Sequence, residues 1–125
     1  MKYKILIADD DRDFVQTLRS RLEIEGYETL CAYEGVRAVE LANREKPSLI
    51  LLDWRMPAGK GDSVLKNLAE KDSTRVIPVV VITGYNDPEI KNSVKKFGVK
   101  AMLHKPYNQQ ELLDVIKGVL SSAHA

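Results

Sequence analysis

The stretch "ILIADDDRDF" at residues 5–14 decides the fold, because a continuous apolar run passes directly into three adjacent aspartates. Such a run is typical of a strand that is buried on both faces, as in a parallel sheet. Two like charges about 4 Å apart repel by roughly 1 kcal/mol in water and by roughly 4 kcal/mol at an effective dielectric of 20. The carboxylates that end this strand therefore require a compensating partner or a structural role, which the rest of the sequence must supply.

Further short apolar runs alternate along the chain with longer amphipathic segments. The runs "LILLD" and "IPVVVIT" are continuous and rich in leucine or β-branched residues, so they predict two more buried strands. The run "YETLCAY" alternates between apolar and polar residues, which predicts an edge strand. The five predicted strands lie at residues 5–8, 27–33, 49–53, 77–83 and 101–104.

Segments with helical periodicity lie between the strands. In the first segment Phe14, Leu18 and Leu22 recur every four residues, which predicts a buried helix face, and Gly26 provides a C-terminal stop. Two similar patterns cover about residues 35–45 and 62–71. Their predicted inward residues are Ala38, Leu41 and Ala42 in the second helix, and Val64, Leu65 and Leu68 in the third.

Capping signals mark the last two helices. Asp87 is the predicted cap of a fourth helix that has Pro88 in its first turn and ends at Gly98. Asn108 is the predicted cap of the fifth helix, and Glu111 lies three residues further on, as in a capping box. The remaining tail, "SSAHA", is expected to fray.

Strictly alternating strands and helices predict an α/β fold, with a doubly wound parallel sheet and right-handed connections. Ligands bind at the carboxyl ends of the strands in such a sheet. Strand two ends in "YEG", which offers no cluster of groups suited to a binding site. The other four strand ends carry such polar residues, namely Asp9, Asp10, Asp11, Asp53, Thr83 and Lys105. This distribution predicts the strand order 2-1-3-4-5, with a site at the switch between strands one and three.

The predicted site combines carboxylates with a hydroxyl and an ammonium group. Asp9 and Asp10 would face Asp53 across the cleft, and a few oxygen ligands with room for water suit Mg²⁺ or Mn²⁺. The sequence has no cysteine and histidine cluster that would indicate zinc. Thr83 and Lys105 complete a set that positions and neutralises a phosphoryl group during its transfer. Asp53 is the predicted nucleophile and would form an aspartyl phosphate.

Four motifs, taken in order, resemble the receiver domain of two-component response regulators, including the single-domain chemotaxis regulators. They are "ILIADDD" with Asp9 and Asp10, "LILLDWRMP" with Asp53, "VVVITG" with Thr83, and "HKPY" with Lys105. The resemblance covers essentially the whole chain. It implies a flavodoxin-like fold of five strand–helix units around a five-stranded parallel sheet.

The resemblance also implies a role for each acidic residue. Asp53 would accept a phosphoryl group from the phosphohistidine of a sensor histidine kinase or phosphotransfer protein. Asp10 and Asp53 would bind Mg²⁺ directly, Asp9 would bind it through water, and Arg55 would contribute its backbone carbonyl. The third aspartate, Asp11, is expected to cap the first helix, so that three charges do not share one pocket.

Thr83 and Lys105 would contact the phosphoryl oxygens by the same resemblance, and the bond between Lys105 and Pro106 would be cis. Phosphorylation would shift an equilibrium between two conformers. A downstream partner would read this shift on the face formed by the fourth helix, the fifth strand and the fifth helix. The same face is a candidate for pairing two copies of the chain on activation.

The sequence departs from the family pattern at Met102, three residues before Lys105, where the family usually has Tyr or Phe. Because methionine has neither a ring nor a hydroxyl, we expect an output that does not depend on an aromatic rotamer switch. Arg55 lies two residues beyond Asp53, and Tyr85 lies two residues beyond Thr83. We expect both of them to control the access of water to the acyl phosphate.

Composition bounds the alternatives. The 125 residues predict one domain over 1–125, with the end of the last helix and the frayed tail in 118–125. A net charge of +1 gives no indication of direct nucleic-acid or membrane binding. The lone Cys31 suits a reducing compartment, so we expect a cytoplasmic protein.

Two other functions use part of the same chemistry. A haloacid-dehalogenase-like phosphatase also forms an aspartyl phosphate, but it carries a second aspartate where this chain has Arg55, and it needs room for a cap domain. A pseudo-receiver, which binds partners without being phosphorylated, would lack Asp53 or the acidic pair. We therefore predict a phosphoacceptor signalling domain that catalyses only its own phosphorylation and dephosphorylation, either as a stand-alone regulator or within a longer protein.

Overall fold

A computed structural model describes residues 2–84 and 88–124 of the chain. Within these residues, parallel strands form one sheet in the order β2-β1-β3-β4-β5, which is the predicted order. The second strand lies at an edge of the sheet, as its alternating sequence indicated. The strands are β1 (Lys4–Ala8), β2 (Glu28–Ala32), β3 (Leu49–Asp53), β4 (Val79–Thr83) and β5 (Ala101–His104).

Helices cover both faces of this sheet and bury two separate apolar clusters. The central strand β3 supplies both of them, since Leu49 and Leu51 lie in one cluster and Ile50 and Leu52 in the other. The first cluster packs against α1 (Arg12–Ile24) and α6 (Gln109–Ala123). The second packs against α2 (Gly35–Glu45), α3 (Gly61–Ala69) and α5 (Pro88–Lys96). The predicted doubly wound α/β fold is therefore confirmed.

One short helix was not predicted from the sequence. α4 (Asp72–Arg75) follows α3 directly, and four polar residues are too few to show any periodicity. Its Thr74 is buried, and Thr74 Oγ1 donates a hydrogen bond of 2.6 Å to the Leu68 carbonyl. This bond satisfies a carbonyl at the end of α3 and joins the two helices. The predicted cap Asp87 of the next helix lies outside the described residues.

The periodicity of α1 was only partly interpreted correctly. Val15, Leu18 and Leu22 are the buried residues of this helix, whereas Phe14 is half-buried at the rim of the cluster. Gly26 has the positive φ of 93° expected for the residue that ends the helix. Phe14 therefore packs against the cluster on the predicted helix face, but Val15 takes the fully buried position, because the spacing fits both residues.

The C-terminal tail is more ordered than the sequence indicated. α6 continues through Ala123, so most of the predicted frayed segment at 121–125 is helical. His124 Nε2 lies 3.0 Å from the Ser48 carbonyl oxygen, and the His124 ring packs against Tyr3 with centroids 5.4 Å apart. None of the helices in the described ranges has both the length and the apolar character that crossing a membrane requires.

Candidate functional site

An open cleft of about 490 Å³ lies at the carboxyl edge of the sheet. β1 and β3 are neighbours and pair Ala8 with Leu52, so the aspartates that follow these residues meet at this edge. Asp9 and Asp53 are almost completely buried there, whereas Asp10 is exposed. The described residues that line the cleft are Asp9, Asp10, Asp11, Asp53, Arg55, Gly84 and Lys105.

The three carboxylates predicted to bind metal come together in the structure. Asp9, Asp10 and Asp53 each offer an oxygen, and these oxygens all lie within 4.8 Å of one another. Carboxylate oxygens with open space beside them are the donors that Mg²⁺ prefers, and nitrogen or sulfur ligands are absent from this group. The convergence follows from the strand order, while the metal-binding roles stay a prediction.

Asp9 lies deepest in the cluster. Its Oδ1 accepts a hydrogen bond of 3.0 Å from the Asp11 backbone N–H. Its Oδ2 is buried without a hydrogen-bond partner among the described residues. Burial raises the pKa of Asp9, while the hydrogen bond from Asp11 and the charge of Lys105 act against this rise. A buried acceptor that lacks a donor costs free energy unless a cation or proton compensates it.

The third aspartate of the opening stretch has a separate task. Asp11 is the N-cap of α1, and its Oδ1 accepts a hydrogen bond of 3.1 Å from the Phe14 backbone N–H. An acidic cap satisfies a free N–H of the first turn and interacts favourably with the helix dipole. The predicted capping role of Asp11 is confirmed, although Asp11 also lines the cleft beside Asp9 and Asp10.

The pKa of the Asp53 carboxyl group is strongly raised. Burial, followed by the negative charge of Asp9, raises the pKa of Asp53 to about 6. The charge of Lys105 and a hydrogen bond from the Arg55 backbone N–H oppose this rise without cancelling it. In the absence of a divalent cation, the cluster therefore favours a proton on Asp53 under mildly acidic conditions.

Lys105 brings the positive charge of the site. Its Nζ lies 3.7 Å from Asp9 Oδ2 and 3.8 Å from Asp53 Oδ1. Its backbone N–H donates a hydrogen bond of 2.8 Å to the Thr83 carbonyl, which aligns the residue after β5 with the end of β4. The peptide bond between Lys105 and Pro106 is cis, as the resemblance implied.

Thr83 ends β4 beside the cleft, with a completely buried side chain. Thr83 itself is not among the described residues that line the cleft, whereas the next residue, Gly84, is. The sequence placed Thr83 at the right strand end, and its contact with a phosphoryl group stays a prediction. Met102 lies opposite Val81 in the sheet and is half-buried against the apolar cluster on that face.

Arg55 is exposed at the rim of the cleft, on the loop between β3 and α3. Trp54 is buried, and its carbonyl accepts a hydrogen bond of 2.8 Å from the Gly61 N–H at the start of α3. The same loop caps α2, since the Pro57 and Ala58 carbonyls accept hydrogen bonds from the first two N–H groups of that helix at 3.2 and 2.9 Å. Tyr85 lies outside the described residues.

Two aromatic residues near the site were not assigned to it from the sequence. The rings of Phe14 and Tyr107 pack edge to face, with centroids 6.3 Å apart and an interplanar angle of 85°. The Tyr107 hydroxyl is buried without a hydrogen-bond partner in the described residues, and burial raises its pKa, as do the charges of Asp9 and Asp53. The position of Tyr107 two residues after Lys105 was the available signal.

Comparison with known proteins agrees with this arrangement. A family model described as the response regulator receiver domain matches residues 5–117. The polar-differentiation response regulator DivK of Brucella anthropi is 30% identical over 123 residues, which cover 98% of this chain and 100% of that protein. Sporulation initiation phosphotransferase F of Bacillus subtilis is 32% identical over 120 residues, which cover 96% of this chain and 95% of that protein.

A solved structure of a receiver domain has the same fold as this chain. The crystal structure of a CheY-like response regulator receiver domain protein from Methanospirillum hungatei JF-1 matches with a TM-score of 0.93. The match covers 99% of this chain and 98% of that chain at 27% sequence identity. These similarities confirm the resemblance indicated by the four sequence motifs.

Proposed function

Because the chain belongs to the response regulator receiver domain family, the phosphoacceptors of two-component signalling, we propose that Asp53 is its phosphoacceptor residue. The observation that carries this proposal is the position of the Asp53 carboxylate. It is nine-tenths buried, yet it lines an open cleft next to two further carboxylates and an ammonium group. A carboxylate that combines access from the cleft with flanking groups of both charges is suited to phosphoryl transfer.

The donor set fits a divalent cation of the Mg²⁺ type, with Mn²⁺ as an alternative. The fit rests on three converging carboxylate oxygens and on the buried Asp9 Oδ2, which has no hydrogen-bond donor in the described residues. Asp10 and Asp53 would hold the ion directly, Asp9 would hold it through water, and the Arg55 backbone carbonyl would complete the protein ligands. When bound, the ion would neutralise the negative charge that an incoming phosphoryl group adds.

The chain's own groups then have distinct parts in the reaction. An Asp53 carboxylate oxygen attacks the phosphorus atom, the bond from phosphorus to the donor's imidazole nitrogen breaks, and that nitrogen keeps the electron pair. The Lys105 ammonium group, already 3.8 Å from Asp53 Oδ1, stabilises charge on the transferred phosphoryl oxygens. Thr83 at the end of β4 supplies a hydroxyl to the same oxygens. Hydrolysis of the aspartyl phosphate by water restores the carboxylate, so the domain acts only on itself.

The proposed partners follow from this chemistry. A sensor histidine kinase or a phosphotransfer protein supplies the phosphohistidine, and a downstream protein or output domain reads the phosphorylated state. The reading surface is the face of α5, β5 and α6, where two activated copies of the chain would also pair. No direct nucleic-acid or membrane contact is part of the proposal, and we expect the relay to run in the cytoplasm, a reducing compartment that suits the free Cys31.

Intact-mass measurement after incubation with Mg²⁺ and acetyl phosphate tests the proposal. We expect a stoichiometric gain of one phosphoryl group in the wild type and in Asp13→Asn, a matched change at an exposed aspartate of α1. Asp53→Asn should show no gain. Omission of Mg²⁺ should slow the gain strongly in the wild type.

The same experiment separates the competing functions. Multiple turnover of a phosphomonoester would indicate a phosphatase in place of a phosphoacceptor. The absence of both adduct and turnover, with a folded protein, would indicate a binding module that is not phosphorylated. Retention of the adduct in Asp53→Asn would place the acceptor at another residue.

A further inference from the structure

Lys105 has an aromatic neighbour in addition to the two carboxylates. Its Nζ lies 5.5 Å from the centroid of the Phe14 ring. We infer that Phe14 is a positioning residue of the site, whose ring holds the Lys105 ammonium group over Asp9 and Asp53. This inference rests on the proposed function, because the step that it affects is the transfer of a phosphoryl group to Asp53.

The two carboxylates alone do not fix the position of the Lys105 ammonium group. Its distances of 3.7 and 3.8 Å to the two carboxylates exceed the roughly 2.7–3.2 Å of an N–H···O hydrogen bond, so neither contact fixes its direction. The Lys105 side chain is 38% exposed and ends a flexible four-carbon stem. An additional contact that restricts this stem therefore places the charge more often where the phosphoryl oxygens will lie.

Phe14 is itself restrained at its backbone and at its ring. It lies in the first turn of α1, where the backbone N–H is bonded to the Asp11 cap at 3.1 Å. The edge-to-face contact with Tyr107 restrains the ring, and Tyr107 follows Lys105 by two residues. The helix and the segment after β5 thus present the ring and the ammonium group to each other.

The ring is available for this task because the core does not use it fully. Val15, the next residue, fills the completely buried position of the helix, and Phe14 stays half-buried at the rim. A cation within about 6 Å of a ring centroid is attracted by the ring quadrupole, more strongly where solvent is partly excluded. Unlike a further carboxylate, an uncharged ring guides Lys105 without adding repulsion to a cluster that already holds Asp9, Asp10 and Asp53.

Proton NMR tests the contact without reference to phosphorylation. In the wild type we expect an upfield ring-current shift of the Lys105 Hε protons, which Phe14→Tyr should retain. Phe14→Leu and Phe14→Met, two apolar side chains without a ring, should remove the shift. Phe97→Leu is the matched control, because Phe97 lies on the opposite face of the sheet in the other apolar cluster. An unchanged Lys105 shift in both ring-free variants would overturn the contact.

The rate of phosphorylation by acetyl phosphate and Mg²⁺ tests the role of the contact. A weak cation–π contact of this kind corresponds to about a two- to fivefold effect, so Phe14→Leu should lower the rate by that factor. Phe14→Tyr and Phe97→Leu should keep the wild-type rate. In a Lys105→Ala background, Phe14→Leu should have no further effect, because the group that the ring positions is gone.

The design separates this inference from the proposed function. A small phosphodonor removes any contribution of Phe14 to binding a kinase. An equal loss in the wild-type and Lys105→Ala backgrounds would show a merely structural effect and overturn the inference, as would failure of Phe14→Tyr to keep the rate. A phosphorylated wild type with an unaffected Phe14→Leu would overturn the inference alone, whereas a wild type without any adduct would overturn the proposed function as well.

Discussion

Asp9 and Asp53 share the same ammonium group, since Lys105 Nζ lies 3.7 Å from an oxygen of the first and 3.8 Å from an oxygen of the second. One positive charge therefore faces two buried carboxylates, with the exposed Asp10 carboxylate next to them. Among the described residues that line the cleft, four aspartates outnumber the two cations Arg55 and Lys105, so the site carries an excess of negative charge that a proton or a divalent cation would balance. Both kinds of compensation have measurable consequences.

The first consequence is a pH-dependent stability in the absence of divalent cations. The folded pKa of Asp53, about 6, exceeds its ordinary value of 3.8, so the folded state binds more protons between these two values. The stabilisation by protonation is complete below about pH 4 and is lost as the pH rises through about 6. At about 1.36 kcal/mol per pKa unit, the loss is at most about 3 kcal/mol.

Urea unfolding of the wild type and of Asp53→Asn across this pH range, with a chelator present, checks this expectation. The free energy of unfolding of the wild type should fall relative to that of Asp53→Asn as the pH rises from about 4 to about 7. Asp9 is present in both proteins, so the comparison isolates residue 53. Parallel pH profiles would contradict a raised pKa at Asp53.

The second consequence is stabilisation by Mg²⁺ that depends on Asp10. Without metal, Asp10→Ala should leave the free energy of unfolding equal or higher, because it removes repulsion from an acidic cluster. With Mg²⁺ in hundredfold excess over its dissociation constant, the wild type should gain about 2.7 kcal/mol by mass action, and the variant should gain little. Thermal unfolding with and without Mg²⁺ measures both effects.

An acidic residue away from the cluster provides the control for this experiment. Asp62 is exposed in the first turn of α3, so Asp62→Ala should keep the full gain in stability on addition of Mg²⁺. If Mg²⁺ stabilised Asp10→Ala as much as the wild type, Asp10 would not be a metal ligand.

The lifetime of the phosphorylated state should depend on Arg55. This residue is exposed at the rim of the cleft, and we expect its side chain to limit the approach of water to the acyl phosphate. Arg55→Ala should therefore shorten the lifetime by roughly two- to tenfold, which corresponds to at most about 1.4 kcal/mol of barrier. Tyr85→Ala should act in the same direction. Loss of phosphoryl group over time, followed by intact mass after removal of the phosphodonor, gives the rates.

A basic residue in the same loop is the matched control. Lys60 is exposed but does not line the cleft, so Lys60→Ala should keep the wild-type lifetime. Wild-type rates in both Arg55→Ala and Tyr85→Ala would reject a role in controlling water access.

Met102 should contribute packing but not an aromatic switch. It is half-buried opposite Val81, so Met102→Ala should lower the free energy of unfolding by about 1–2 kcal/mol. We expect the variant to be phosphorylated normally and to keep the phosphorylation-dependent amide chemical-shift changes on α5, β5 and α6. Val99→Ala, at another half-buried residue of the same cluster, is the control for packing loss alone. If Met102→Ala were stable and phosphorylated but lost the chemical-shift changes, while Val99→Ala kept them, Met102 would be a switch.

The strand ends were predictable because a parallel sheet brings them to one edge whatever the loops do. The positions of Asp9, Asp53 and Lys105 followed from that rule alone. The role of Phe14 was not predictable, because the helical period fits Phe14 and Val15 almost equally and only packing decides between them. α4 was missed because a four-residue helix leaves no periodic signal, although the Thr74 hydroxyl joins it to α3 through a hydrogen bond to the Leu68 carbonyl.

The packing of the loop that carries Arg55 was also not predictable from the sequence, because close backbone packing leaves no polar pattern. A side chain at Gly61 would meet the ring of the buried Trp54, which itself follows Asp53. Gly61→Ala should therefore lower the free energy of unfolding by about 1–3 kcal/mol, because the ring has to move within a packed cluster.

Gly118 in α6 is the matched control, because nothing lies within 4 Å of a side chain added there. Gly118→Ala should raise the free energy of unfolding by about 0.5–1 kcal/mol through helix propensity. Chemical denaturation measures both changes, and a Gly61→Ala protein as stable as Gly118→Ala would contradict the close contact between Trp54 and α3.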